Sequence, residues 1–315
     1  MTFFAACLSA FPIRFTREYR VMIFGLGGFQ RVGGFECVPY AARGGDHPGQ
    51  SKAWGRGPVL TFDEAGEPGR RPLILVHGWC CNRRHMAGLM KGFSARYHVL
   101  AVDLPGHGQT PLGDTPALLD SFAASICSFI AERDLRQPVL IGHSMGGILS
   151  VLAASQKPEA IAGVVNLDGP VPLTVSARPS YRDLFSRINA EGFHAVVPPF
   201  VREVFFLSRE QAPTSEKVVA DMLSCPEELA LALMRQIPTF EAEPALRGSQ
   251  TPLLFIGGSH PRFDESTLTR VRPDAWIARV AVAGHFIQIF ALPQVTAMID
   301  KFLATEIERG PAAPC

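Results

Sequence analysis

From Val59 onward, short apolar runs rich in branched residues alternate with longer stretches whose apolar positions recur at helical spacing. Leu73-Ile74-Leu75-Val76, Tyr97 to Val102, Val139-Leu140-Ile141, Ile161 to Leu167 and Pro252-Leu253-Leu254-Phe255-Ile256 each have the length of a buried strand. Between them, Ala117 to Arg133, Ile148 to Ser155, a segment after Asp264, and Pro293 to Glu306 read as amphipathic helices. Strands apolar on both sides need cover on both faces, so the alternation predicts an α/β chain with a mostly parallel sheet between two helical layers. Val59 to Phe62 predicts an early strand and Ala275 to Val282 a late one.

Two stretches leave this pattern. Residues 1–57 are rich in Gly, Arg and Phe, with neither helical nor strand periodicity, and are expected to form an extension of unknown order. Met22 is a competing start, because the alternation begins only near Val59. Between Pro170 and Arg247 the strands stop, and a helical stretch carries Tyr181, Phe185, Phe193, Phe200, Phe205 and Phe206. This predicts a helical cap over 171–245, inserted into a core of 58–170 and 246–309.

Composition narrows the partners. A formal net charge of +1 without a basic block gives no footprint for nucleic acid or an anionic membrane, so a small apolar partner is expected. No run of about 18 apolar residues could span a bilayer. The apolar opening of the chain lacks a basic start and is interrupted by Arg14, Arg17 and Arg20, unlike an export signal. Seven cysteines show no paired metal spacing, and the neighbours Cys80 and Cys81 are poorly placed to bridge each other. A reducing, cytoplasmic setting is expected, with no metal. Oligomeric state is not legible.

The chemistry concentrates where strands end. Gly142-His143-Ser144-Met145-Gly146 has the G-x-S-x-G form and stands between an apolar strand and a helix. A tight strand-to-helix turn exposes the serine hydroxyl, and the glycines let neighbouring elements approach. The alternative, a glycine-rich nucleotide loop with an incidental serine, would bring a G-x-G-x-x-G or Walker spacing, which is lacking. A serine needs a base and donors for an oxyanion. His285, in Gly284-His285-Phe286 just past the last strand, is the candidate base. Gly78 in His77-Gly78-Trp79 would let the Trp79 N–H face a substrate together with that of Met145. His77 itself reads as a structural hydrogen-bonding residue, and Asp103 to Gly108 as a packed turn.

His77-Gly78-Trp79, Asp103 to Gly108, Gly142 to Gly147 and Gly284-His285-Phe286 occur in the order and spacing of the α/β-hydrolase superfamily, which residues 58–306 resemble. The resemblance implies an eight-stranded sheet, a cap after the sixth strand, no required cofactor, and a triad of Ser144, an acid and His285. It leaves the substrate open, since esterases, lactonases, C–C bond hydrolases and thioesterases share these motifs.

In that family the acid usually follows the seventh strand, where this chain has His260. Two replacements are available. Asp168, after the expected sixth strand, is preferred; Asp264, or Glu265 beside it, could reach in from a lengthened loop. Any correctly placed carboxylate can orient the imidazole. The leading expectation is a serine esterase acting on a small to medium hydrophobic or aromatic ester. Lactone or C–C bond hydrolysis would use the same residues. His77-Gly78-Trp79-Cys80 is also similar to the cofactor-free dioxygenases of heteroaromatic rings, and a non-catalytic ligand-binding protein is the remaining alternative.

Overall fold

In chain order, the computed structural model has strands and helices β1 (Phe62–Ala65), β2 (Pro72–Val76), α1 (Ala87–Phe93), β3 (His98–Val102), α2 (Leu119–Glu132), β4 (Val139–His143), α3 (Met145–Gln156) and β5 (Gly163–Leu167). Then follow α4 (Arg178–Glu191), α5 (Phe193–Phe205), α6 (Pro213–Met222), α7 (Glu227–Gln236), α8 (Ala242–Gly248), β6 (Leu253–Gly257), α9 (Glu265–Val271), β7 (Trp276–Arg279), α10 (Ile287–Phe290) and α11 (Leu292–Phe302). The structure describes residues 59–210 and 213–308, so the extension expected over 1–57 lies outside the described residues.

The strands form one sheet in the order β1-β3-β2-β4-β5-β6-β7. Only β1 runs antiparallel, against β3; the other pairs are parallel. Every residue of β2 to β6 is buried. Because side chains alternate across a strand, each strand feeds two cores. Ile74, Val76, Leu100, Val102 and Leu140 pack on one face with Phe122 and Ile126 of α2 and Ile148 and Leu152 of α3. Leu73, Leu75, Val99, Ala101, Val139 and Ile141 pack on the other with Leu89 and Phe93 of α1 and Val295, Ile299 and Phe302 of α11. Each such aliphatic side chain contributes roughly 1.5–3 kcal/mol by leaving water. The expected two-faced α/β architecture is therefore present.

Seven strands lie among the described residues, against the eight that the resemblance implies. The details of the sheet correct the sequence reading in two places. β1 starts at Phe62 instead of Val59, because the ladder opens at Phe62↔Val102 and β3 ends there. β7 stops at Arg279 rather than Val282, whose φ of 61° breaks the extended backbone.

Between β5 and β6 the chain folds into α4 to α8, with no strand among the described residues. No helix among the described residues is long and apolar enough to cross a membrane.

Parallel registers decide which strand ends meet. His143 pairs with Leu167, and Leu167 with Ile256. The residues that follow, Ser144, Asp168 and the loop from Gly258, therefore emerge side by side at the carboxyl edge of the sheet, where α/β sheets bind ligands.

Candidate active site

Ser144 sits between β4 and α3 at φ 54°, ψ −119°. A side chain rarely adopts this region, so the turn must be held from outside. Its N–H donates to Leu167 O at 3.0 Å, and its carbonyl accepts from Gly147 N at 2.9 Å. The flanking glycines are sterically required. A Cβ on Gly142 would stand 2.1 Å from Gly146 O, and one on Gly146 would stand 2.3 Å from Val76 O. The Ser144 side chain is left partly exposed, with no hydrogen-bond partner among the described residues.

Two backbone donors flank it. Met145 is the first residue of α3, where a helix leaves N–H groups unpaired. Trp79 lies in a turn closed by Cys81 N–H to Gly78 O at 3.1 Å. A Cβ on Gly78 would meet the Ser144 Cβ at 3.0 Å, so only glycine lets this turn come so close. The Trp79 indole N–H donates to Ala230 O at 2.8 Å and anchors the turn on α7. Both N–H groups therefore border Ser144.

His285 follows β7 and meets Asp168, one residue past β5. Its Nδ1 lies 2.7 Å from Asp168 Oδ2, with both side chains buried. Asp168 Oδ1 accepts the backbone N–H groups of Gly258 and Arg262, each at 3.2 Å. A carboxylate accepting at Oδ2 makes Nδ1 the protonated nitrogen and Nε2 the free acceptor. Burial pushes the Asp168 carboxyl up to about 7, against the Arg262 charge and these N–H groups. Burial, then the Arg262 charge, hold His285 well below the ordinary histidine range. The imidazole is thus neutral at pH 7, as a proton acceptor must be.

The structure brings Ser144, Trp79, Met145, His285 and Asp168 to one edge, and it does not bring Asp264 there. Asp264 caps α9, its Oδ1 accepting from Thr267 N at 2.8 Å and Ser266 Oγ at 2.7 Å. Glu265 pairs with Arg279 at 2.7 Å. His260 is exposed in the loop after β6. His77 donates from Nδ1 to Gly78 O at 2.8 Å and accepts Leu104 N–H at 3.1 Å, which ties the ends of β2 and β3. Asp103 is a buried partner of the Arg83 guanidinium and backbone.

Four side chains around His285 escape a sequence reading. The buried Glu210 accepts Gly284 N–H, at 3.0 Å on Oε1 and 3.2 Å on Oε2, and Leu207 N–H at 2.7 Å. Phe205 O accepts the His285 N–H at 2.7 Å, and its ring lies 4.6 Å from the imidazole. His143 donates from Nε2 to His285 O at 3.0 Å. The Arg262 guanidinium reaches Val204 O and lies 5.2 Å from the Phe205 ring. A single acid after an aromatic run was the only signal for Glu210, and periodicity says nothing of its partner.

The sequence profile of the alpha/beta hydrolase family matches residues 73–297. The chain is similar to a dihydrolipoyllysine-residue acetyltransferase component of the acetoin cleaving system of Pseudomonas putida, with 27% identity over 81% of this chain and 70% of that protein. It is 26% identical to a 2-(acetamidomethylene)succinate hydrolase of Mesorhizobium japonicum, over 73% of this chain and 87% of that one. Its fold is similar to that of a hydrolase from Oleispira antarctica, at a TM-score of 0.71 and 14% identity over 78% of this chain and 95% of that chain. Alignments with several other curated relatives span less than half of their length.

Proposed function

The chain belongs to the alpha/beta hydrolase family, and we propose that it is a serine hydrolase that cleaves a carboxylic ester of a small to medium hydrophobic or aromatic substrate through an acyl-enzyme. The observation that carries this reading is the buried 2.7 Å contact between His285 Nδ1 and Asp168 Oδ2, one strand away from the strained Ser144 turn.

Ser144 Oγ attacks the ester carbonyl while His285 Nε2 takes its proton. Asp168 keeps Nδ1–H in place and offsets the imidazolium charge. The negative charge moves to the carbonyl oxygen, where the N–H groups of Trp79 and Met145 receive it; such a donor is worth about 10²–10³ in rate. His285 returns the proton to the leaving alcohol. Water then repeats the sequence on the acyl-enzyme and frees Ser144. In this reading residues 171–245 act as the cap over a core of 58–170 and 246–309, and their apolar side chains favour a hydrophobic substrate.

The resemblance to a 2-(acetamidomethylene)succinate hydrolase supports a second reading, a carboxylate-bearing substrate drawn toward Arg262 and opened by the same residues. The test is fluorophosphonate labelling of wild type and Ser144→Ala, followed by turnover of aryl, alkyl and lactone esters and of a dicarboxylate analogue. Labelling lost in Ser144→Ala with turnover of neutral esters supports the proposal. Labelling or turnover that survives in Ser144→Ala overturns it, and turnover of the dicarboxylate alone favours the second reading.

A further inference from the structure

The amino edge of the sheet, opposite Ser144, carries a charged cleft of about 550 Å³. It is lined by Arg70 and Arg71 from the β1–β2 connection, His98 at the start of β3, and Arg133, Arg136 and Gln137 from the connection between α2 and β4. Asp134 is the one carboxylate among its described lining residues, so arginines outnumber acids there four to one. Along the chain these arginines stand near Glu67, Glu132 and Asp134, and no basic block results. The parallel pairing of β2 with β3 and with β4 brings the three segments together.

Three of the guanidinium groups are held in place. Arg71 Nη1 donates to Gln137 O at 2.9 Å and ties the entry to β2 to the entry to β4. Arg70 Nη1 donates to Ala95 O, and its Nη2 meets Glu67 at 2.8 Å. The Arg133 guanidinium carbon lies 3.9 Å from the Phe62 ring centroid and 5.4 Å from that of Phe129. Arg136 meets Asp134 at 3.5 Å, with both side chains exposed. Arg71 and Arg133 have no carboxylate partner among the described residues. Arg71 uses a single N–H on Gln137 O, and Arg133 uses none on a described residue. Like charges gathered in one cleft repel, and the fold keeps these close without the acids that would neutralise them.

We propose that this cleft binds the phosphate group of a small ligand. A phosphoryl group carries roughly two negative charges on its acceptor oxygens, and the planar guanidinium fork matches it with paired N–H bonds. A single carboxylate would leave most of the cations unmatched. Arg71 and Arg133, fixed and free of acids, supply the forks, while Arg70 and Arg136 supply the surrounding charge. The volume suits a small molecule, since ligand sites span roughly 300–1,000 Å³. The cleft and the proposed active site lie at opposite ends of the five-residue strands β2 and β4, about 16 Å apart. The inference is therefore independent of the esterase reading.

The experiment is isothermal titration calorimetry of the full chain at constant ionic strength, with inorganic phosphate and inorganic pyrophosphate as probes. Wild type should bind pyrophosphate saturably at one site. Arg71→Gln and Arg133→Gln should each weaken binding about tenfold or more, because each removes a charge-assisted pair. Arg71→Lys keeps the charge without the fork and should recover only part of the affinity. Arg136→Gln alters an exposed side chain, should leave the melting temperature unchanged, and should weaken binding a few-fold. Arg182→Gln, exposed on α4, should bind as wild type does. Phosphatidylcholine vesicles with and without phosphatidic acid separate the sources of the phosphate. Retention only with phosphatidic acid, lost in Arg71→Gln, supports the cleft with a lipid headgroup as its ligand; titration without retention supports it with a soluble phosphate ester. No saturable binding and no retention would overturn the proposal, and so would binding that none of the cleft variants weakens. Fluorophosphonate labelling of Arg71→Gln should match wild type. Absence of labelling in both would count against the Ser144 reading, while the titrations would still decide the cleft.

Discussion

Glu210 accepts the backbone N–H of Gly284 at 3.0 Å, one residue before His285, from the connection between α5 and α6. The neighbouring contact, His285 N–H to Phe205 O at 2.7 Å, comes from the end of α5. The loop bearing the imidazole is therefore fixed from two directions, by Asp168 at the sheet and by the helical stretch above it. Movement of that stretch and the position of the base are coupled.

Glu210→Ala should strand the N–H groups of Gly284 and Leu207, at a stability cost of about 1–3 kcal/mol. Glu210→Gln keeps one acceptor oxygen and should recover part of both stability and labelling rate. As a positioning residue, Glu210 should change kcat more than KM. Thermal melts beside steady-state kinetics check this, and equal loss in both variants would leave only a general role in folding.

Asp168→Asn should lower kcat by roughly 10³–10⁴ while the chain stays folded, because an amide stabilises the wrong imidazole tautomer. Asp264→Ala should leave kcat within a few-fold and cost about 1 kcal/mol, the usual loss for a helix N-cap. Turnover and denaturant titration of the two variants would expose an error in the choice of acid.

The pH profile follows from the lowered His285. A base with a depressed pKa stays neutral further into acid, so the acid limb of kcat/KM should fall below the ordinary histidine value of 6.5. Arg262→Met removes a cation that lowers His285, and the limb should move to higher pH. A limb unchanged in that variant would mean that burial alone sets it.

Stability should fall on acidification. His77 and His143 are buried with values far below 6.5. The unfolded chain takes up protons below pH 6.5 that the folded one refuses, so stability is full above 6.5 and is lost as pH drops. Asp168, raised by burial, works in the opposite sense and offsets His285. His77 and His143 together give a loss of about 2–3 kcal/mol between pH 7.5 and 5.5, to which the buried His85, lowered by desolvation, adds in the same sense; urea denaturation at the two pH values measures it.

Gly146→Ala would put a methyl group 2.3 Å from Val76 O, against backbone on a central strand. It should cost about 1–3 kcal/mol or more and disturb the Ser144 turn. A melting temperature and labelling rate equal to wild type would contradict the tight elbow.

Much of this was written along the chain. Five short apolar runs became the fully buried β2 to β6, because a strand covered on both faces has to be apolar throughout. The Gly142 to Gly146 spacing likewise marked a turn that only glycines can pack. Periodicity, however, reports the average environment of one element and not which loops meet. Asp168 and Asp264 were both sequence candidates for the acid. The register Leu167↔Ile256, which sets the Asp168 carboxylate beneath Gly258 N–H, and the cap that occupies Asp264 are tertiary facts. So is the hold of Glu210 on Gly284, partners 74 residues apart whose contact exists only once the sheet has ordered the loops between them.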